Sequence, residues 1–332
     1  MFERYVDMEY LAPLLRLVRS QSLEEDIRLI ASEALSLDRF LSTIRGTKLS
    51  QFLPSKLSVE DVEKAAWLYY ANVLNKLKEL SSIAPSIYIA YSMPLIARDL
   101  AKTLSALLEG KEVTAEMSVS RHPIVLRAIS IGREYGFREV GRVLAKNRLN
   151  LLASYLLSPK PETEILDLYV DLEVLRSFAE AWNEYGGEIG AEYLCYRLDA
   201  YATRIALNAS IIKEQNTIRV VRKNLSTCLV DNYKLLEALE EHAPDRILQV
   251  IQTSPYARRA KIESFDEAYH IIRKYSRSRI MRGLAYDPTI PTHSAAVLEL
   301  ILLDVEDIIA LASVAPTGLT REAINEILSL SL

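Results

Sequence analysis

Apolar residues recur at helical spacing along almost the whole chain. Tyr10, Leu11, Leu14, Leu15 and Val18 define one face of a first helix. Val62, Ala65, Ala66, Tyr69, Tyr70, Val73, Leu74 and Leu77 keep to one face of another. Ser58 precedes that face as a cap, and Asp61, three residues on, makes a weakened capping box, since Glu or Gln is usual there. Leu80 ends the pattern before Ser81-Ser82-Ile83-Ala84-Pro85. Leu166 to Trp182 predicts a further helix, stopped by Gly186-Gly187. Tyr286 to Thr292 carries Pro288 and Pro291 and predicts a loop. The β-branched run Ile218-Arg219-Val220-Val221 fits a helix as well as a strand. The pattern predicts an all-α protein.

The pattern also repeats about every hundred residues. Leu35 to Ile44 lies over Tyr135 to Leu144, and the same frame returns at His242 to Ile251. A second match follows each copy: Arg98-Asp99-Leu100, Leu198-Asp199-Ala200 and Leu303-Asp304-Val305. Asp38 to Asp99 is 61 positions, Arg138 to Asp199 is 61, and Asp245 to Asp304 is 59. Three similar helical units suggest a three-part scaffold. The expected divisions are 1–115, 116–215 and 216–332.

The aspartates at the matched positions are candidate structural residues. In the last copy Glu299, Glu306 and Ser313 form a thin polar stripe, with Leu300, Ile301, Ile308 and Leu311 opposite. Asp304 falls among the apolar residues, where an unpartnered carboxylate is costly. Asp99 and Asp199 share Thr at four and Ala at seven residues on. We expect each of the three to accept hydrogen bonds from a neighbouring helix terminus or an arginine, fixing how helices dock. The plain alternative is a polar position on a helix edge.

The 332 residues are half apolar and a quarter charged, enough for a substantial core. A net charge of −4 gives no global pull towards nucleic acid or an anionic membrane. Two cysteines, Cys195 and Cys228, argue against a disulfide framework and fit a reducing compartment. The first residues lack the apolar core of a signal peptide, and no apolar run suggests a membrane span. His122, His242, His270 and His293 are scattered, without zinc-site spacing. Gly132, Gly136 and Gly141 do not form a phosphate-binding loop and suggest close helix packing. No catalytic, cofactor or metal site is expected.

One basic cluster stands out: Arg273, Lys274, Arg277, Arg279 and Arg282. It suggests a docking surface for an acidic partner or anionic lipid, against a solvated helix face as the plain alternative. Ile83 to Ala97 suggests either an exposed apolar tip or a buried hinge. Tyr69, Tyr70, Tyr88, Tyr91, Tyr193, Tyr196 and Tyr201 read as core packing.

Three stretches carry a likeness to a known family. Tyr10 is followed by Arg16 and Arg19; Tyr91 to Lys111 contains Arg98-Asp99-Leu100 and ends Glu109-Gly110-Lys111. Leu302 to Ala312 is followed by Gly318-Leu319 and Glu322-Ala323-Ile324. In these features the chain resembles the C subunit of archaeal A-type and bacterial V-type ATPase/ATP synthase, which is similar to the d subunit of vacuolar ATPases. The resemblance implies three similar helical domains arranged as a funnel around a pseudo-threefold axis. It also implies a non-catalytic, central-stalk role at the cytoplasmic face of a membrane, with axle subunits and a proteolipid ring as partners. No small-molecule substrate and no nucleic acid are implied. Two rival classes are a generic helical-repeat interaction scaffold and an enzyme. The enzyme would show a deep polar pocket holding an acid with a displaced pKa.

Overall fold

Ser58 and Asp61 form the capping box that their spacing dictates. Ser58 Oγ accepts from the Asp61 N–H at 3.3 Å, and the Asp61 carboxylate accepts from the Ser58 N–H at 2.9 Å. The helix they start, Val59–Lys76, buries the predicted face from Val62 to Leu74. The computed structural model describes residues 12–33, 36–188, 190–212, 214–257, 261–283, 293–318 and 320–330. Tyr10, Leu11, the Tyr286 to Thr292 loop and Leu319 lie outside the described residues.

Among the described residues every regular element is helical. Helix α1 (12–20) leads into the first unit, made of α2 (Glu24–Glu33), α3 (Leu37–Ile44), a 3-10 turn (Lys48–Phe52), α4 (Val59–Lys76), the short α5 (Leu80–Ile83) and α6 (Pro85–Leu108). The second unit is α7 (Pro123–Tyr135), α8 (Phe137–Lys146), α9 (Asn150–Leu156), α10 (Thr163–Tyr185) and α11 (Glu192–Ile211). Helix α12 (Gln215–Asn224), which takes in Ile218 to Val221, connects to the third. That unit is α13 (Asn232–Glu240), α14 (Pro244–Gln252), a 3-10 turn (Pro255–Ala257), α15 (Phe265–Gly283) and α16 (His293–Val314), with α17 (Arg321–Ile327) after it. Each unit thus runs short, short, shorter, long, long, with the four-residue α5 inserted between the two long helices of the first. The segments matched in the sequence are α3, α8 and α14.

The six long helices pack in a closed circuit: α4 on α6, α6 on α10, α10 on α11, α11 on α15, α15 on α16, and α16 back on α4. Helix α16 also touches α6 and α11 across the interior. It is buried on every side from Ser294 to Val305, which accounts for its nearly unbroken apolar run. Ile83 to Ala97 is interior too. Most of it packs in the core as the first half of α6, with Ile89 its exposed large side chain. Gly132 lets α7 approach α6; a Cβ there would sit 2.4 Å from Leu107 Cδ1. Gly136 turns α7 into α8 with φ +80°, a conformation side chains disfavour.

The three aspartates sit at the seams between units, and each is wholly buried. Asp99 on α6 accepts from Ser118 Oγ at 3.0 Å and the Ser120 N–H at 2.7 Å, in the segment leading into α7. Asp199 on α11 accepts from the N–H groups of Cys228, Leu229 and Val230 at 2.6, 2.7 and 3.2 Å, just before α13. Tyr256 Oη adds a fourth bond at 2.8 Å. Asp304 on α16 accepts from Ser22 Oγ at 2.7 Å and the Leu23 N–H at 2.8 Å, just before α2. Each unit therefore holds the lead-in of the next, and the third holds the first.

Cys195 and Cys228 correct the expectation drawn from cysteine number. They form a disulfide with Cα atoms 5.5 Å apart. Cys195 lies one turn before Asp199 on α11, and Cys228 is one of the residues whose N–H groups Asp199 holds. The same seam is thus held covalently and by hydrogen bonds, a juxtaposition that only the folded chain creates.

Replacing Asp199 with Asn exchanges an all-acceptor group for one with a single acceptor oxygen, facing four donors. We expect a loss of about 2–3 kcal/mol of stability, measured by urea unfolding at pH 7. Replacing Asp304 with Ala also strips Arg277 of a buried partner and should cost about 3–5 kcal/mol. Reducing the disulfide frees a loop of some thirty residues in the unfolded chain. A drop of about 3–4 kcal/mol is expected, absent when the reductant is added to Cys228→Ala.

Candidate functional site

All six long helices contribute to one open basin of about 530 Å³. Glu63 and Trp67 come from α4, and Arg98 and Ala101 from α6. Asp167 and Asp171 come from α10, and Tyr201, Arg204 and Asn208 from α11. Tyr269, His270 and Arg273 of α15 meet Glu306, Ile309 and Ala310 of α16. The place is set by the circuit itself, since a side chain from each helix faces the same space.

An ion pair spans the two long helices of each unit around this basin. Glu63 of α4 pairs with Arg98 of α6 at 3.1 Å and with Lys102 at 2.9 Å. Asp171 of α10 holds Arg204 of α11 through both carboxylate oxygens, with Nε at 2.9 Å from Oδ2. Arg273 of α15 pairs with Glu306 of α16 at 3.0 Å. Arg204 also lies 4.7 Å from the Tyr201 ring centroid and 5.7 Å from that of Tyr269. These contacts brace the wall across the two long helices of each unit.

Below the wall the network runs deeper into the core. Arg197 of α11, 1% exposed, reaches Glu299 at 2.9 Å and Glu306 at 2.6 Å. Glu299 and Glu306 of the polar stripe on α16 therefore turn inward, while Ser313 at its end is exposed. Arg273 also binds Asp307 at 2.6 Å, and Arg277 binds Asp304 at 2.7 Å and Asp307 at 3.3 Å. Asp307 takes two further bonds from Ser329, from its N–H at 2.9 Å and its Oγ at 2.7 Å, tying the segment after α17 to α16. Burial pushes the Glu306 carboxyl up, but Arg197 and Arg273 outweigh it and hold the group below the usual carboxylate range. Burial pushes the Asp171 carboxyl up, against the pull of Arg204.

The basic cluster is not one surface. Arg273 and Arg277 are 3% and 2% exposed and turn inward, because the four acids Glu299, Asp304, Glu306 and Asp307 on α16 need counter-charges. Lys274 is half-buried, with Nζ donating to the Asn325 carbonyl at 2.7 Å. Arg279 and Arg282 are exposed, and Arg279 lies 5.9 Å from the Tyr275 ring centroid. Asp304 and Arg277 are thus brought together, while Asp99 and Asp199 stay at separate seams. Sequence reading missed Arg197, Asp171, Arg204 and Asp307. Arg197 carries the signal that marked Asp304: it is a lone charge in the otherwise uncharged run Tyr193 to Leu198.

Among the described residues no helix is long and apolar enough to cross a membrane. None of their His, Cys, Asp and Glu side chains gather into a group able to hold a metal ion. Neither a family model nor a curated protein matches the chain.

His270 supplies a pH test of the basin. Burial first, and then the neighbouring Arg273, push its imidazole down to about 4. The folded chain therefore keeps it neutral while the unfolded chain takes up a proton below about 6.5. Its contribution is complete above that pH and is lost as pH falls towards 4. We expect His270→Gln to remove about 2–3 kcal/mol of the acid-side loss between those limits, read by urea unfolding across pH.

Proposed function

We propose that this chain is the central-stalk rotor adaptor of an A/V-type ATPase or ATP synthase. It links a rotating axle to a membrane proteolipid ring and passes torque between ion translocation and ATP synthesis or hydrolysis. The observation that carries this reading is the cyclic grip of Asp99, Asp199 and Asp304 on successive lead-in segments. A linear array would leave its last unit without a partner. Here Asp304 holds Ser22 and Leu23, at the start of the first unit. Closure of three similar units supports a funnel around a pseudo-threefold axis, as the family resemblance implies.

The basin suits a seat for the axle. Every long helix lines it, so a load applied there reaches all three units at once. The ion pairs that cross within each unit resist sliding of its two long helices. On this reading the subunit performs no chemistry and lies at the cytoplasmic face of the membrane as a peripheral part of the rotor. A catalytic reading draws on the raised Asp171 carboxyl in a polar basin. Both of its oxygens are engaged by Arg204, however, which suits a brace better than a proton carrier.

The test is recovery of partners from detergent-solubilised membranes of the native host with a tagged chain. Axle subunits and a proteolipid should co-purify and be absent from an untagged control. Filling the basin with Ala310→Trp should lose the axle subunits while leaving the chain folded. Recovery with unrelated soluble proteins alone would replace the rotor role with that of an interaction scaffold.

A further inference from the structure

The three units share a plan but differ in the charge of their short-helix layers. In the second unit, residues 121–148 hold seven basic residues against two acidic. The matching window of the first unit, 21–48, holds four against five, and that of the third, 228–255, holds two against five. The chain as a whole is acidic, so this excess of bases sets the short-helix layer of the second unit apart from the other two. All seven basic side chains are exposed. Among the described residues only Arg142 of the seven makes an ion pair, with Glu139.

The arrangement is ordered. Arg138, Arg142 and Lys146 follow one another at four-residue spacing along the exposed stripe of α8. Arg127 and Arg133 stand on the outward face of α7, which packs against α8. Large apolar side chains are exposed on the same layer: Leu126 at 37%, Tyr135 at 63% and Leu157 at 44%. Among the described residues the fold pairs only Arg142 of these bases, with Glu139, and the core beneath is made by Ile124, Val125, Val140 and Leu144.

We propose that the α7–α8 face of the second unit binds anionic lipid headgroups. A cluster of this many bases matches the density that holds proteins at acidic bilayers. The exposed Leu126, Tyr135 and Leu157 suit the boundary between headgroup and acyl chain. The depression beside them, lined by Leu126, Ile129, Ser130, Arg133 and Glu134, is open to solvent. A fluid anionic surface needs only density of charge. The contact would place the second unit against the bilayer, on one side of the molecule alone.

The test uses the purified full-length chain and no other subunit, so its outcome is separate from that of the rotor reading. Vesicles of phosphatidylserine and phosphatidylcholine in equal parts are sedimented with the chain, alongside vesicles of phosphatidylcholine alone. Binding is expected to the mixed vesicles only and to weaken as salt is raised. Arg138→Glu, Arg142→Glu and Lys146→Glu together should weaken it on the order of 100-fold. Lys234→Glu with Arg246→Glu, on the third unit, should leave it unchanged. Should the triple variant fail to fold, the single changes Arg127→Gln, Arg133→Gln and Arg138→Gln are each expected to weaken binding by about fivefold. Equal binding to both vesicle types would overturn the proposal, as would no binding at low salt. Wild-type binding by the folded triple variant, or by all three single variants, would do the same. If the wild type ignores vesicles while the triple variant alone loses a protein partner, the face belongs to an acidic protein instead.

Discussion

A buried carboxylate that takes hydrogen bonds from the segment opening the next unit is the interaction on which this architecture rests. The need is mutual. Asp99, Asp199 and Asp304 are each wholly excluded from water and require donors. The lead-in segments at Ser120, at Cys228 to Val230 and at Leu23 carry backbone N–H groups that no helix yet satisfies. Satisfying one group with the other fixes where each unit begins relative to the unit before it. At Asp304 the bond spans 282 positions of sequence and converts a row of units into a circle.

That circle decides where the remaining charges go. With α16 enclosed on every side from Ser294 to Val305, its acids meet arginines from α11 and α15. Arg197, Arg273 and Arg277 are spent on this task, and Glu306 is shared between Arg197 and Arg273. Such a network gains little over an apolar core of equal volume, but it is sensitive to geometry. A sliding helix would strand a charge. Rigidity of this kind is what the proposed rotor role requires, with a basin to which every long helix contributes. The disulfide strengthens the same design at the seam between the second and third units.

Much of the scaffold was legible in the chain. Helical periodicity marked α4 and α10, the Ser58 box marked its own helix start, and the hundred-residue frame located α3, α8 and α14. Asp304 was conspicuous as a charge among apolar neighbours. Its donors were not, because Ser22 and Leu23 are ordinary residues far away in sequence. The same limit hid the disulfide: Cys195 and Cys228 form no motif, and only the return of the segment before α13 to α11 brings them together. Arg273 and Arg277 looked like a surface because a stretch rich in bases is usually solvated. They turn inward because acids on another helix draw them there. Ile83 to Ala97 offered two readings, and packing selected the buried one.

Local physics, repeated along the chain, was enough to determine an all-helical molecule, since helix period, caps and breaks act over a few residues. The exact partners of buried charges, the pairing of the cysteines, the shared basin and the closure of the last unit on the first were decided only by the tertiary structure. Each of these joins residues that helical units bring together from distant parts of the sequence. Burial then makes their pairing obligatory, because a charge or an N–H group shut away from water must find its partner within the fold.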